Sequence, residues 1–254
     1  MTYSYSSTPV HRQHGFGFKF LVFAALFLSA GLCARAQDEP SPARTSSSHM
    51  RPSVGRYAHD FLMIQVTYDG WSGTPDSIRT GGFSRGFNIA MMYDFPLQKG
   101  SHLSAAAGLG VSTSNIFFKD QRADLNKLTP TLNFPTDSSY KRYKLGTAFL
   151  EIPIEIRYRQ FPDNANRGFK VAIGAKLGAL ANAHTRGKII GNGDKSVVKV
   201  NDKRFFNSWR AAATARIGWG NFGLYGSYTF TSLLKQGAGP TLNPYSIGLS
   251  ISGL

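Results

Sequence analysis

The sequence predicts an all-β fold: an eight-stranded antiparallel up-and-down transmembrane β-barrel with short periplasmic turns and long extracellular loops. Three observations lead there. Hydropathy alternates with a period of two in eight separate segments, which puts alternate residues on opposite faces of a strand. The polar face of those segments is built from small residues with a few charges, as the narrow lumen of a small barrel requires. The connections alternate between short and long, the layout of an outer-membrane barrel.

Residues 1–36 read as a secretory signal peptide. His11, Arg12, His14 and Lys19 precede the apolar run Phe20–Leu32, and Ala34-Arg35-Ala36 supplies a small-x-small cleavage site. The apolar run is too short for a helix spanning about 30 Å of hydrocarbon, which wants about 20 residues. Cys33 follows Leu32, where lipoprotein processing wants a small residue. Cleavage after Ala36 leaves a mature chain without cysteine, so neither disulfides nor thiol chemistry are expected. Residues 37–56, rich in Ser, Pro and Arg with little apolar to bury, predict a flexible periplasmic linker. Residues 57–254 form the barrel domain.

Within that domain the first three strands, 61–69, 86–95 and 102–112, alternate weakly. The fourth is the clearest. In Phe149–Arg159 one face carries Leu150, Ile152, Ile154, Ile156 and Tyr158, and the other Glu151, Pro153, Glu155, Arg157 and Arg159. The fifth, 169–179, sets Val171, Ile173 and Leu177 against Lys170, Gly174, Lys176 and Gly178. The sixth, 209–219, sets Trp209, Ala211, Ala213, Ala215, Ile217 and Trp219 against Arg210, Thr214, Arg216 and Gly218. The seventh, 222–231, is weaker. The eighth sets Tyr245, Ile247, Leu249 and Ile251 against Ser246, Gly248, Ser250 and Ser252. Several approach the 9–11 residues of a tilted transmembrane strand. A soluble barrel also alternates, but its solvated face would carry more Lys, Glu and Thr.

Leu97–Ser101, Gln160–Gly168 and Gly220–Asn221 are the short connections; Gly70–Arg85, Thr113–Arg142, Thr185–Ser208 and Ser232–Asn243 are the long ones. Tyr93, Phe95, Tyr158, Phe161, Phe169, Trp219 and Phe222 fall near the short turns. Tyr68, Trp71, Phe117, Phe118, Tyr143, Phe206, Trp209 and Phe230 fall near the long loops, so two interfacial girdles are expected. Pro153 cannot donate a ladder hydrogen bond and predicts a local bulge or inward kink.

The chain carries 29 basic and 14 acidic residues. Removal of Arg12, Lys19 and Arg35 with the signal leaves 26 basic residues and a balance of +12. Such a charge suits nucleic acid or anionic lipid headgroups. Export removes nucleic acid and leaves outer-membrane lipid, lipopolysaccharide and acidic envelope proteins as expected partners.

Two charge clusters are the candidate sites. Glu151, Glu155, Arg157, Lys170, Lys176, Arg210 and Arg216 share the lumen face, where Lys176 is expected opposite Pro153. A salt-bridged network filling the lumen is expected, since buried charges must be paired; a selective pore or ligand cavity is the alternative. The second cluster is the extracellular basic loop with Arg186, Lys188, Lys195, Lys199, Lys203 and Arg204. Against Asp194 and Asp202 it carries +4. Within it Ile189-Ile190 and Val197-Val198 flank Asn192-Gly193-Asp194, a hairpin signal.

Enzymatic signals are weak. The histidines beyond the signal, His49, His59, His102 and His184, lie in no nucleophile motif, and only His184 beside Thr185 suggests a rim hydrolase or acyltransferase. No metal-ligand spacing or phosphate-binding glycine loop occurs, so no cofactor is expected.

The signal ending Ala34-Arg35-Ala36-Gln37, the segment Phe149-Leu150-Glu151-Ile152-Pro153-Ile154 and the closing Pro244-Tyr245-Ser246-Ile247-Gly248-Leu249 together resemble the PorT-like outer-membrane β-barrel family of Bacteroidetes-type bacteria. The likeness covers roughly residues 57–254. It implies an eight-stranded barrel inserted by the barrel-assembly machinery, and it implies that proline is tolerated at position 153. The family's namesake takes part in type IX secretion, a role that membership alone does not transfer. The expectation is a non-enzymatic envelope protein, accessory to secretion or to surface interaction. A narrow channel, a lipid-modifying enzyme and a soluble lipocalin-like binder are the alternatives.

Overall fold

The computed structural model describes residues 62–98, 100–125, 129–162, 164, 166–191 and 194–253. The expected signal peptide and linker, with His49 and His59, lie outside the described residues, as does the Asn192-Gly193 turn. The described strands are β1 (Leu62–Ser72), β2 (Arg85–Pro96), β3 (Leu103–Phe118), β4 (Tyr140–Arg159), β5 (Phe169–Gly191), β6 (Asp194–Asn201), β7 (Trp209–Trp219), β8 (Phe222–Thr229) and β9 (Asn243–Ser252).

Eight of them close into a ring in the order β1-β2-β3-β4-β5-β7-β8-β9. The ring is sealed where β1 pairs antiparallel with β9, from Met63↔Ser252 to Ser72↔Asn243. Closure leaves the ring no unpaired edge. β6 stands outside it and pairs with the upper part of β5, His184↔Asn201 through Gly191↔Asp194. β5 therefore changes neighbours along its length, since Phe169–Ala179 pair with β7. The change coincides with a bulge: Ala148 pairs with Asn182 and Phe149 with Leu180, leaving Ala181 as the extra residue.

The apolar face of the alternation points outward. Leu150, Ile152, Ile154, Ile156 and Tyr158 are 42–61% exposed, while Glu151, Glu155, Arg157 and Arg159 on the same strand are 2–7% exposed. Val66, Ile89, Leu109, Ile173, Ile217, Leu224 and Leu249 continue an exposed apolar belt around the other seven strands. An exposed apolar belt that runs through all eight strands of the ring suits hydrocarbon. At the short-turn end Tyr93, Phe95, Tyr158, Phe161, Trp219 and Phe222 are exposed, as a girdle requires.

The loop end departs from expectation in two ways. The strands are longer: β3 reaches Phe118, β4 starts at Tyr140 and β5 reaches Gly191, so the expected loop 185–208 is in large part a β-ribbon and the expected loop 113–142 shrinks to 119–139. Above the belt the alternation persists with inverted polarity. Tyr143, Leu145 and Phe149 turn inward at 7%, 1% and 2% exposure, while Arg142 is exposed and Lys144 half-buried on the outside. Water now surrounds the sheet, so the apolar side chains bury inward.

The second departure concerns aromatics expected in the upper girdle. Phe118, Tyr143 and Phe206 are buried instead, and Trp71 packs against them. They join Ile78, Leu125, Leu132, Phe205, Leu233, Leu234 and Leu242 from the loops in an apolar cap over the barrel. Tyr68, Trp209 and Phe230 remain outside.

Pro153 is also corrected. It faces the lumen without a bulge, and the β3–β4 register is the same on both sides of it, with Ala107↔Ile154 and Gly110↔Glu151. Pairing lapses only at Gly108 and Leu109, opposite Pro153 and Ile152. The missing N–H removes a ladder bond, and the flanking pairs hold the register.

Candidate functional site

The strands bring their lumen-facing charges together at two levels. Nearer the short turns, Glu155 accepts from Arg157 Nε at 2.7 Å and from Arg216 Nη2 at 2.9 Å. Arg157 Nη1 donates to Asp94 Oδ1 at 2.7 Å, and Arg159 Nη2 lies 3.1 Å from Asp94 Oδ2. Nearer the loops, Glu151 pairs with Lys176 at 3.4 Å and accepts from Arg210 Nε at 2.9 Å. Arg210 also contacts Ser112. Its guanidinium carbon lies 3.9 Å from the centroid of the Phe149 ring, so one side chain joins the charge network to the apolar cap.

β4 and β5 pair with Lys176 opposite Pro153, as the turn spacing requires. Glu151, Glu155, Arg157, Lys176, Arg210 and Arg216 thus lie in ion pairs of the lumen. Lys170 lies nearer the short-turn mouth, with Nζ 3.4 Å from Ser252 Oγ. The sequence places Arg159 on the polar face of its strand but outside the charge cluster, and it does not mark Asp94. Asp94 is flanked by Tyr93 and Phe95 in a weakly alternating strand, and its role emerges only when β2 and β4 are set on either side of β3. Gln65, Thr67, Asp69 and Asn88 extend the polar lining, with Thr67 donating to Asp69 at 2.6 Å and Asn88 to Gln65 at 3.1 Å.

These side chains fill the bore. The gap among Asp69, Asn88, Ser112, Lys176 and Arg210 holds about 20 Å³, roughly one water. Above it the cap is tied by long-range bonds. Tyr143 Oη donates to the carbonyl of Ala123 at 2.7 Å, Leu132 N to Ala238 at 2.8 Å, and Asn207 Nδ2 to Ser232 and Leu234 at 2.6 and 2.9 Å.

The basic loop divides. Arg186 and Lys199 face each other across β5 and β6, and Lys188 pairs with Val197. Lys203 Nζ donates to the Ala181 carbonyl at 3.1 Å. Arg204 Nε lies 2.9 Å from Asp202, and Nη2 donates to Leu125 at 3.1 Å, so it pins the cap. The Lys195 side chain lies outside the described residues.

His184 and Thr185 do not form a catalytic pair, because adjacent strand residues face opposite ways and Thr185 is 1% exposed toward the interior. His184 stands over Gly146, where a Cβ would come within 2.6 Å of its ring. Burial, then Lys199, Lys144 and Arg186, hold its pKa below the ordinary value.

A family model described as outer membrane protein beta-barrel domain matches residues 41–235. The crystal structure of Ail, the attachment invasion locus protein of Yersinia pestis, is similar at 14% identity over 75% of this chain and 95% of Ail, with a TM-score of 0.32. Ail in complex with the heparin analogue sucrose octasulfate is similar at 13% identity, over the same shares and with the same TM-score. No curated protein matches the chain.

Proposed function

Because the chain belongs to the outer membrane protein β-barrel domain family, we propose that it serves in the outer membrane as a closed, non-enzymatic envelope protein that works through its loop end, turned to the outside. The observation that supports this is the doubly blocked bore. Paired charges occupy the lumen, and a loop cap with Phe206 and Leu242 fully buried lies over it. A channel or solute carrier needs a path that neither layer leaves. The loop end, in contrast, is a folded platform that a partner can grip without first ordering it.

The experiment has two arms. The purified full chain in planar bilayers is expected to give no unitary current steps, and reproducible steps would overturn the closed-barrel reading. Because Cys33 is the sequence's single cysteine, Lys235→Cys on the cap gives a clean reporter of sidedness. An impermeant maleimide is expected to label it on intact cells, and labelling only after lysis would invert the orientation. The finer reading, a PorT-like barrel accessory to secretion, rests on the Leu150-Glu151-Ile152-Pro153-Ile154 strand. An unchanged secreted-protein profile in a deletion strain would remove it.

A further inference from the structure

The outward face of the β-ribbon carries cations where the lipid-facing belt ends. Arg85 on β2 is exposed two residues beyond the belt residue Phe87 and lies 5.8 Å from the Phe117 ring centroid. On the next strands Arg142 pairs directly with Lys188, and Lys144 with Arg186, which in turn pairs with Lys199. Strands are about 4.8 Å apart, so these are rows of like charge set directly abreast, an arrangement that costs stability unless an anion lies over it.

Among the described residues none of Arg85, Arg142, Lys144, Arg186 and Lys188 forms an ion pair with a carboxylate. Two adjoining grooves of about 380 and 210 Å³ share Phe117 and Arg142 as walls. Among the described residues Asp120 is the acid lining the larger one, and none lines the smaller. Burial, then Arg186 and Arg85, hold the Lys144 ammonium below its ordinary pKa.

We propose that this face, centred on Arg142, Lys144, Arg186 and Lys188 with Arg85 at its lower edge, binds the phosphate groups of an outer-leaflet glycolipid. The patch lies on the side wall of the barrel and continues the face that meets hydrocarbon below. A lipid whose acyl chains pack on that belt carries its headgroup to the level of the cations. Guanidinium groups take phosphate oxygens in bidentate fashion, and lysines add point charge. Phe117 and Phe83 supply an apolar floor at the groove's foot.

The inference rests on the loop end facing outward, which the Lys235→Cys labelling tests separately. The experiment uses the full chain in nanodiscs of zwitterionic phospholipid containing bisphosphorylated lipid A, with retained glycolipid read by native mass spectrometry. Wild type is expected to retain lipid A selectively. The Arg142→Gln/Arg186→Gln double variant is expected to lose roughly 30-fold in apparent affinity, about fivefold for each basic residue removed at a membrane surface. Lys235→Gln, away from the ribbon, is expected to change nothing. Heat-modifiable mobility of each variant checks folding. Equal retention by wild type and a folded double variant would overturn the proposal. Displacement of lipid A by inorganic pyrophosphate at matching concentration would overturn the lipid source, leaving a site for soluble phosphate.

Discussion

At the scale of single residues the membrane and the lumen impose opposite demands one position apart. Ile154 is 52% exposed on the belt, and its neighbour Glu155 is 4% exposed between Arg157 and Arg216. Arg at Ile154 is expected to weaken assembly by about 2–4 kcal/mol, the depth-dependent cost of a cation facing lipid. Equal folded yield from wild type and variant in lipid-titrated refolding would place that face away from hydrocarbon. Arg at Ala172 tests the other side. Ala172 is cross-strand from both Arg157 and Arg216, so a third guanidinium there disturbs the network without meeting lipid. Removing one partner of a buried pair is costlier than removing the pair. Glu155→Ala, which leaves Arg216 without its carboxylate while Arg157 keeps Asp94, is expected to cost about 3–5 kcal/mol. Denaturant unfolding in detergent measures it, and a loss under about 1 kcal/mol would mean that water already screens the site.

At the scale of elements the ribbon of β4, β5 and β6 is sensitive to pH through His184. Burial and the cations Lys199, Lys144 and Arg186 depress its folded pKa, while in the unfolded chain it titrates near about 6.5. The unfolded state therefore binds the proton first. The ribbon's stability is full above that value and falls as pH drops below it, until the folded histidine is also protonated. The protection of the Gly187 amide, its exchange rate measured against the intrinsic rate at each pH, is expected to fall between neutral and mildly acidic pH, and His184→Asn to abolish the change. An identical pH profile in the variant would assign the effect elsewhere.

The elements also show what the sequence could carry. Strands inside the membrane were legible because each residue's surroundings alternate strictly between lipid and lumen, as in Leu150–Arg159. The ribbon was harder to read, because Tyr140–Leu145 alternates with polarity reversed and a rule that places charge inside misses it. Arg142 and Lys144 were passed over for that reason. The cap was not legible at all. Its contacts join loops far apart in the chain, such as Arg204 to Leu125 and Leu132 to Ala238, and no local pattern in those loops marks Phe206 as more buried than Phe230.

At the scale of the whole molecule three layers stack along the barrel. An aromatic girdle lies at the short-turn end, a charge-filled lumen within the belt, and an apolar cap flanked by the basic wall of the ribbon at the loop end. The fold is fixed by closure: β1 meets β9 with ten residue pairs in register, which makes partial unfolding of one strand expensive for both neighbours. The reversal of polarity along β4, between Leu145 and Leu150, marks where lipid gives way to water, and a single strand thereby reports the depth of the molecule in the bilayer. A soluble barrel has no reason to invert its faces partway along a strand.

The most direct test of that membrane-spanning account is the gel mobility of the full chain extracted from the outer-membrane fraction, compared with and without boiling. A closed barrel in lipid is expected to partition with that fraction and to migrate as a compact band that shifts on heating. Recovery in the soluble periplasmic fraction with no shift on boiling would contradict the account, because the apolar belt could not then be facing lipid.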